Sequence, residues 1–169
     1  MIQTPGPHEF LELRPEVREL WPEASRHRID EILPHHAARA GFRAVVERDG
    51  DGPLAGFAYG YRGGPGQWWH DLVATALGPD GSVRWLAPGH FEFVELHVRR
   101  GLWGRGIGGR LHDALLAPEP GPAVLSTQRD NERALRLYTG RGWQVIVPDI
   151  DFGAGYPPFC VLGLPARTP

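Results

Sequence analysis

The chain has 169 residues, with 18 basic and 20 acidic side chains and a formal net charge of −2. Its length fits one domain and 41% of its residues are apolar, so we expect residues 1–169 to form a single domain with an ordinary core. The charge balance gives no reason to expect nucleic acid or a membrane as a partner. No window approaches 18 consecutive apolar residues and no signal peptide is recognisable, so we expect a cytoplasmic protein.

The single cysteine, Cys160, excludes an intrachain disulfide and a multi-cysteine zinc site. Its apolar neighbours predict a small buried side chain rather than a nucleophile. The histidines, including the adjacent His35 and His36, have no spacing typical of metal ligands. We therefore predict no metal site.

The N-terminal part of the chain predicts a strand, a helix and a hairpin. Residues 9–21 carry apolar side chains interrupted by a proline, which favours a short strand followed by the start of a helix. Residues 23–33 place apolar side chains on one helical face, and Pro34 ends or kinks that helix. Residues 42–63 hold two apolar runs around a turn at residues 50–53, which is the pattern of a β-hairpin.

The middle of the chain joins a loop to a strand and a helix. Residues 63–89 are rich in Gly and Pro and predict a loop, although they include the aromatic stretch "QWWHDLVATAL". The segment "HFEFVELHV" (90–98) predicts a buried strand. A glycine cluster follows it and opens a helix through Leu111 and Leu116, which stops at "APEPGP".

The last part of the chain predicts one helix between strands. The helix covers residues 130–143, with Asp130 or Asn131 as its N-cap and Gly142 at its end. The strands lie at 123–127, 143–147 and 159–164. Together the elements predict an α+β fold, with a mixed sheet and a strand–glycine turn–helix unit in the middle of the chain.

The stretch "GLWGRGIGGRL" (101–111) concentrates glycines at a helix entrance. Glycine costs a helix interior about 0.5–1 kcal/mol relative to alanine, so the cluster indicates that backbone approaches a ligand closely. Gly104, Gly106 and Gly109 match the dinucleotide fingerprint G-x-G-x-x-G. Against that interpretation, five residues separate the strand from the first of these glycines, and the unit comes too late for a second mononucleotide half.

Two motifs resemble the GNAT superfamily of N-acetyltransferases. The segment "ELHVRRGLWGRGIGGRL" resembles the acetyl-CoA motif (Q/R)-x-x-G-x-(G/A), with Trp103 at the polar position and Gly106 and Gly108 as its glycines. The segment "NERALRLYTGRGW" is similar to the next motif, N-x-x-A-x-x-x-Y-x-x-x-G-(F/W), and the matching positions are Asn131, Ala134, Tyr138, Gly142 and Trp143. The resemblance implies a GNAT-type fold, with a mixed, mostly antiparallel sheet of about six or seven strands flanked by about four helices.

The resemblance also implies acetyl-CoA as the co-substrate. Backbone amides of the turn and the N-terminus of the next helix would bind its pyrophosphate, and the end of the strand would pair with its pantetheine arm. The residues expected to contact it are Leu96, His97, Val98, Trp103, Gly104, Arg105, Gly106, Ile107, Gly108, Gly109, Asn131 and Tyr138. We expect local positive charge from Arg99, Arg100, Arg105 and Arg110, with Arg105 compensating for Trp103.

Amine acetylation needs a proton acceptor for the amine and a proton donor for the departing thiolate. The resemblance assigns the donor role to Tyr138. Glu95 and His97 share one face of the strand if alternation holds. We take Glu95 as a catalytic residue, although a paired structural acid, His97 as the base, or a chain of waters stays an alternative.

The function that the resemblance implies is transfer of an acetyl group from acetyl-CoA to a primary amine of a small molecule or peptide, directly within a ternary complex. The alternatives are a non-catalytic CoA-binding module of the same fold and a dinucleotide-binding protein. The family forms its acceptor pocket from regions that correspond to residues 21–36 and 63–89. These regions contain aromatic and polar side chains, namely Trp68, Trp69, His70, Asp71 and Trp85. They line the acceptor pocket, form a packed flap or make a homodimer contact.

Overall fold

The computed structural model describes residues 1–167, apart from the side chains at positions 24 and 25. The chain forms two compact units. The first unit consists of Met1–Tyr61 and Val94–Pro118, and the second consists of Arg62–Phe93 and the chain from Glu119 onward. The expectation of a single domain stays a prediction.

Residues 1–167 contain seven strands and six α-helices. The strands are β1 (Ile2–Gln3), β2 (Arg43–Arg48), β3 (Leu54–Arg62), β4 (Phe91–Val98), β5 (Ala123–Gln128), β6 (Gln144–Ile150) and β7 (Phe159–Leu164). The helices are α1 (Pro7–Glu12), α2 (Arg14–Leu20), α3 (Ile29–Ala37), α4 (Trp68–Trp85), α5 (Ile107–Leu116) and α6 (Glu132–Thr139). Within the described part of the chain, no helix combines the length and apolar character needed to cross a membrane.

The strand pairing confirms the predicted α+β class with a mostly antiparallel sheet. In the first unit β1, β2 and β3 pair antiparallel and the end of β4 follows β3. In the second unit the order is β4-β5-β7-β6, with β4 and β5 parallel and the other pairs antiparallel. The predicted hairpin over residues 42–63 is therefore confirmed as β2 and β3.

The N-terminal region of the first unit is helical, so the predicted strand within residues 9–21 is wrong. The backbone N–H of Gly6 donates to Glu9 at 2.8 Å and starts α1, while Pro15 lies in the first turn of α2, where its missing N–H costs nothing. Apolar side chains at helical spacing, rather than alternation, then bury against β3. Pro34 lies inside α3 and does not end it.

The predicted loop over residues 63–89 is also wrong, because α4 occupies most of it. Gly78 has φ +69° and divides α4 into two helical segments, the second of which begins with Pro79. This helix contributes buried side chains such as Val73 to the core of the second unit. Together with the split into α1 and α2, it explains why the chain has more helices than the predicted four.

Candidate functional site

A glycine turn connects β4 to α5 in the first unit. A short 3-10 helix at Arg100–Leu102 follows the strand, and α5 begins at Ile107. Gly104 has φ +83° and Gly106, the N-cap of α5, has φ +74°, so both lie in the left-handed region that favours glycine. An added Cβ at Gly104 would meet nothing within 4 Å. The turn is therefore open at Gly104, whereas an added Cβ at Gly106 would lie 3.3 Å from Arg110 Nη1.

The start of α5 is suited to an anion. The N–H groups of the first helical turn have no partner within a helix, and the helix dipole places partial positive charge beside them. Ile107 and Leu111 are buried and fix the helix against the unit. Because the open glycine turn lets backbone N–H groups approach closely, these residues fit the pyrophosphate of coenzyme A.

The positive charge around this turn is smaller than expected. Arg110 donates to Glu47 at 2.6 Å and 3.1 Å, and this hydrogen-bonded carboxylate raises the pKa of the guanidinium. Arg99 donates to Glu19 at 3.1 Å and to the Leu54 carbonyl at 3.1 Å. Arg99 and Arg110 are each paired with a carboxylate, so they contribute less local positive charge than predicted.

Trp103, the departure from the family motif, closes the loop between β4 and the glycines. Its indole Nε1 donates to the carbonyl of Val98 at 2.7 Å. The guanidinium carbon of Arg100 lies 5.6 Å from the centre of its ring, within the range of a cation–π contact. Trp103 is 45% exposed. The side chain at this position is thus bonded to the strand end that the pantetheine arm was expected to use.

Glu95 and His97 form a hydrogen-bonded pair on β4. His97 Nε2 and Glu95 Oε2 are 2.7 Å apart, which confirms that the two side chains share a face. The His97 ring packs 5.7 Å from the ring of Trp21 and 5.3 Å from that of Phe57. The pair is partly exposed, so aromatic packing fixes the imidazole while the pair remains accessible to solvent.

A buried tyrosine lies near Glu95 and contacts a partly buried histidine. Tyr59 is fully buried, and burial, with a smaller contribution from the charge of Glu95, raises the pKa of its phenol. The Tyr59 hydroxyl lies 3.1 Å from His36 Nδ1. Burial, with smaller contributions from Arg39 and His35, lowers the pKa of His36 to about 4. His36 is therefore neutral near pH 7.

The second predicted motif lies in the second unit. Asn131 is the N-cap of α6, as predicted, and its side-chain oxygen accepts from the backbone N–H of Ala134 at 3.2 Å. Tyr138 is 7% exposed, and its ring lies 5.9 Å from that of Phe93 and 5.6 Å from that of Trp143. The motif thus builds a capped helix with an aromatic cluster. The roles of Asn131 and Tyr138 stay predictions.

The sequence reasoning missed a second histidine–glutamate pair, which lies in the second unit. His90 Nε2 and Glu92 Oε1 are 3.5 Å apart, both side chains are almost fully buried, and neither atom has a hydrogen-bond partner. His90 Nδ1 lies 3.1 Å from the Ala87 carbonyl, so Nδ1 carries the proton. A Cβ at Gly63 would meet both side chains within 2.2 Å. The sequence signal that could have revealed this pair is the H-x-E pattern at residues 90–92, which is the reverse of the E-x-H pattern at residues 95–97.

The aromatic stretch at the start of α4 divides into packed and exposed residues. Trp69 donates its indole N–H to Ser126 at 2.9 Å, and Trp85 is buried with its ring against Gly163. Trp68 is 55% exposed and lies beside Phe152. Trp69 and Trp85 are therefore part of the fold of the second unit. A role of this stretch in acceptor binding or dimerisation stays a prediction.

Comparisons with known proteins agree with the two motifs. The model of the acetyltransferase (GNAT) family matches residues 8–143. A GCN5-like protein acetyltransferase of Mycobacterium tuberculosis is 36% identical over 119 residues, which are 66% of this chain and 58% of that protein. This chain thus spans well under two thirds of that relative's length.

Two solved structures show the same fold at low sequence identity. The histone acetyltransferase HPA2 and related acetyltransferase of Corynebacterium glutamicum has a TM-score of 0.67 and 17% identity, covering 100% of this chain and 97% of its own. An aminoglycoside 6′-acetyltransferase type Ii has a TM-score of 0.67 and 18% identity, covering 100% and 99%. At these identities the likeness concerns the fold alone.

Proposed function

Because this chain belongs to the GNAT acetyltransferase family, we propose that it is an acyltransferase that transfers the acetyl group of acetyl-CoA to a primary amine of a small molecule or peptide. The transfer is direct, within a ternary complex. The observation that carries the proposal is the arrangement of the first unit, where the Glu95–His97 pair stands at the end of β4 and the glycine turn follows it. A proton acceptor and a phosphate cradle are thus adjacent in the chain.

His97 is the proposed proton acceptor. An ionised Glu95 can only accept a hydrogen bond, so Nε2 of His97 carries the proton between them and Nδ1 holds a lone pair. Nδ1 takes the proton that the amine loses, and Glu95 holds the imidazole in the required tautomer and stabilises the imidazolium. Glu95 is in this scheme a positioning residue.

The co-substrate is proposed to lie along β4 and the glycine turn. Bound acetyl-CoA supplies an acetyl thioester, whose C–S bond breaks as the C–N bond to the amine forms. The N–H groups of Ile107 and Gly108 at the start of α5 bind the pyrophosphate, and backbone groups of Leu96 and Val98 pair with the pantetheine arm. The Tyr138 hydroxyl is proposed to protonate the departing thiolate.

The direct test combines binding and turnover. Calorimetry with acetyl-CoA is expected to show binding, and release of free thiol is expected when a library of primary amines is added. Absence of acetyl-CoA binding at about millimolar concentration would refute the proposal. Binding without thiol release from any amine would instead support the non-catalytic CoA-binding module.

The role of Tyr138 has a separate test. Tyr138→Phe keeps the aromatic ring that packs against Phe93 and Trp143 and removes only the hydroxyl. We expect kcat to fall about tenfold or more while the Kd for acetyl-CoA changes less than twofold. An unchanged kcat would remove Tyr138 from the mechanism.

A further inference from the structure

The indole of Trp103 reaches one particular edge of β4. The backbone N–H of Arg99 donates to the carbonyl of Ala55 at 2.8 Å, so the backbone groups of Arg99 face β3. In an extended strand the backbone groups of successive residues point to opposite edges. The carbonyl of Val98 therefore points away from β3, and the indole N–H of Trp103 meets it there at 2.7 Å.

The same edge is the one on which an extended ligand would pair. A chain added to a strand edge uses the backbone groups of alternate residues, which on this edge of β4 are those of Leu96 and Val98. The Val98 carbonyl is the last of these acceptors before the glycine turn. An amide N–H of a pantetheine arm and the indole N–H of Trp103 thus have the same acceptor.

We propose that Trp103 competes with the pantetheine arm for the Val98 carbonyl, and that coenzyme A binds by displacing the indole N–H from it. The inference rests on the proposed function, because it needs the arm to lie along β4. Trp103 then lowers the affinity of the turn for the coenzyme. The tryptophan at the polar position of the motif therefore raises the coenzyme A concentration that is needed to occupy the site.

The size of the effect follows from one neutral hydrogen bond. Such a bond contributes about 0.5–1.5 kcal/mol net, which corresponds to about a two- to tenfold change in Kd. Trp103→Phe removes the N–H and keeps an aromatic ring beside Arg100. We therefore expect this variant to bind coenzyme A about two- to tenfold more tightly in calorimetry, while it unfolds cooperatively in urea like the native chain.

The displacement itself is visible by NMR without turnover. In ¹⁵N-labelled protein, the indole resonance of Trp103 is identified by its loss in Trp103→Phe, and the other tryptophan indoles serve as internal controls. On titration with coenzyme A we expect the Trp103 indole proton to move upfield, towards the position of an indole N–H in water, because its hydrogen bond to Val98 is lost.

Two results would overturn the inference in distinguishable ways. In the first, coenzyme A binds while the Trp103 resonance stays in place, and Trp103→Phe binds coenzyme A equally or more weakly. The indole then keeps its hydrogen bond to Val98 when the coenzyme is bound, and only this inference fails. If coenzyme A and acetyl-CoA do not bind the native chain, the proposed function fails and the inference fails with it.

Discussion

Two histidine–glutamate pairs with the same two-residue spacing lie along β4 and the residue just before it, one pair in each compact unit. The side chains of Glu95 and His97 are 29% and 20% exposed and 2.7 Å apart. Those of His90 and Glu92 are 1% and 4% exposed and 3.5 Å apart. The two pairs have the same residue types and the same spacing, so their different exposure to solvent distinguishes the roles that they can have. Only the first pair is accessible enough to exchange a proton with a substrate.

The largest difference between the pairs should appear in turnover. His97→Gln removes the proposed proton acceptor, and we expect kcat to fall about a hundredfold because general-base catalysis contributes at least that much. The matched control is His8→Gln, which changes a fully exposed histidine whose Nδ1 lies 3.6 Å from Glu12. Its kcat is expected to stay within twofold. A His97→Gln variant that keeps more than about a third of the native kcat would remove His97 as the base.

The buried pair should be sensitive to packing. An alanine at position 63 would bring its Cβ to 2.1 Å from Glu92 Oε1 and 2.2 Å from His90 Nε2, and both side chains are almost fully buried. We expect Gly63→Ala to lower the free energy of unfolding in urea by about 2 kcal/mol.

The neighbouring glycine supplies the control for this substitution. A Cβ at Gly64 meets nothing within 4 Å, so Gly64→Ala is expected to change stability by less than about 0.5 kcal/mol. Equal effects of the two substitutions would show that the pair is not tightly enclosed.

Titration of His36 makes the stability of the chain depend on pH, which limits the pH range in which the two histidine–glutamate pairs can be compared. Its pKa is about 4 in the folded chain and 6.5 without burial, so the unfolded chain binds more protons between these values. Stability is therefore lost as the pH falls below about 6.5, by about 2 kcal/mol between about pH 7 and pH 5. His36→Gln should flatten this dependence in urea unfolding. A native dependence that persists in the variant would contradict the assignment.

Local signals in the sequence were sufficient to predict much of the secondary structure of this molecule. The hairpin of β2 and β3, the join of β4 to α5 and the Asn131 cap of α6 each depend on residues close in the chain, and all were predicted. The alternation of β4 likewise placed Glu95 and His97 on one face. These features need only a period, a turn or a cap to be recognised.

The features that sequence reasoning missed depend on distant residues or on ambiguous ones. Arg110 pairs with Glu47 and Arg99 with Glu19, partners that lie 63 and 80 positions away, so their neutralisation has no local signature. Gly78 and Pro79 resemble a loop, yet a single residue at positive φ lets a second helical segment begin. The hydrogen bond from the Trp103 indole to the Val98 carbonyl depends on the fold of the intervening loop, which the sequence pattern does not reveal.

We propose that the exposed pair on β4, and not the buried one, serves acetyl transfer. The most direct measurement compares kcat for thiol release from acetyl-CoA in Glu95→Gln and Glu92→Gln, two identical carboxylate-to-amide changes three residues apart. We predict that Glu95→Gln lowers kcat about tenfold, because His97 loses the carboxylate charge that stabilises its imidazolium, and that folded Glu92→Gln stays within about threefold. The reverse order would contradict this assignment and indicate that the proton acceptor belongs to the buried pair.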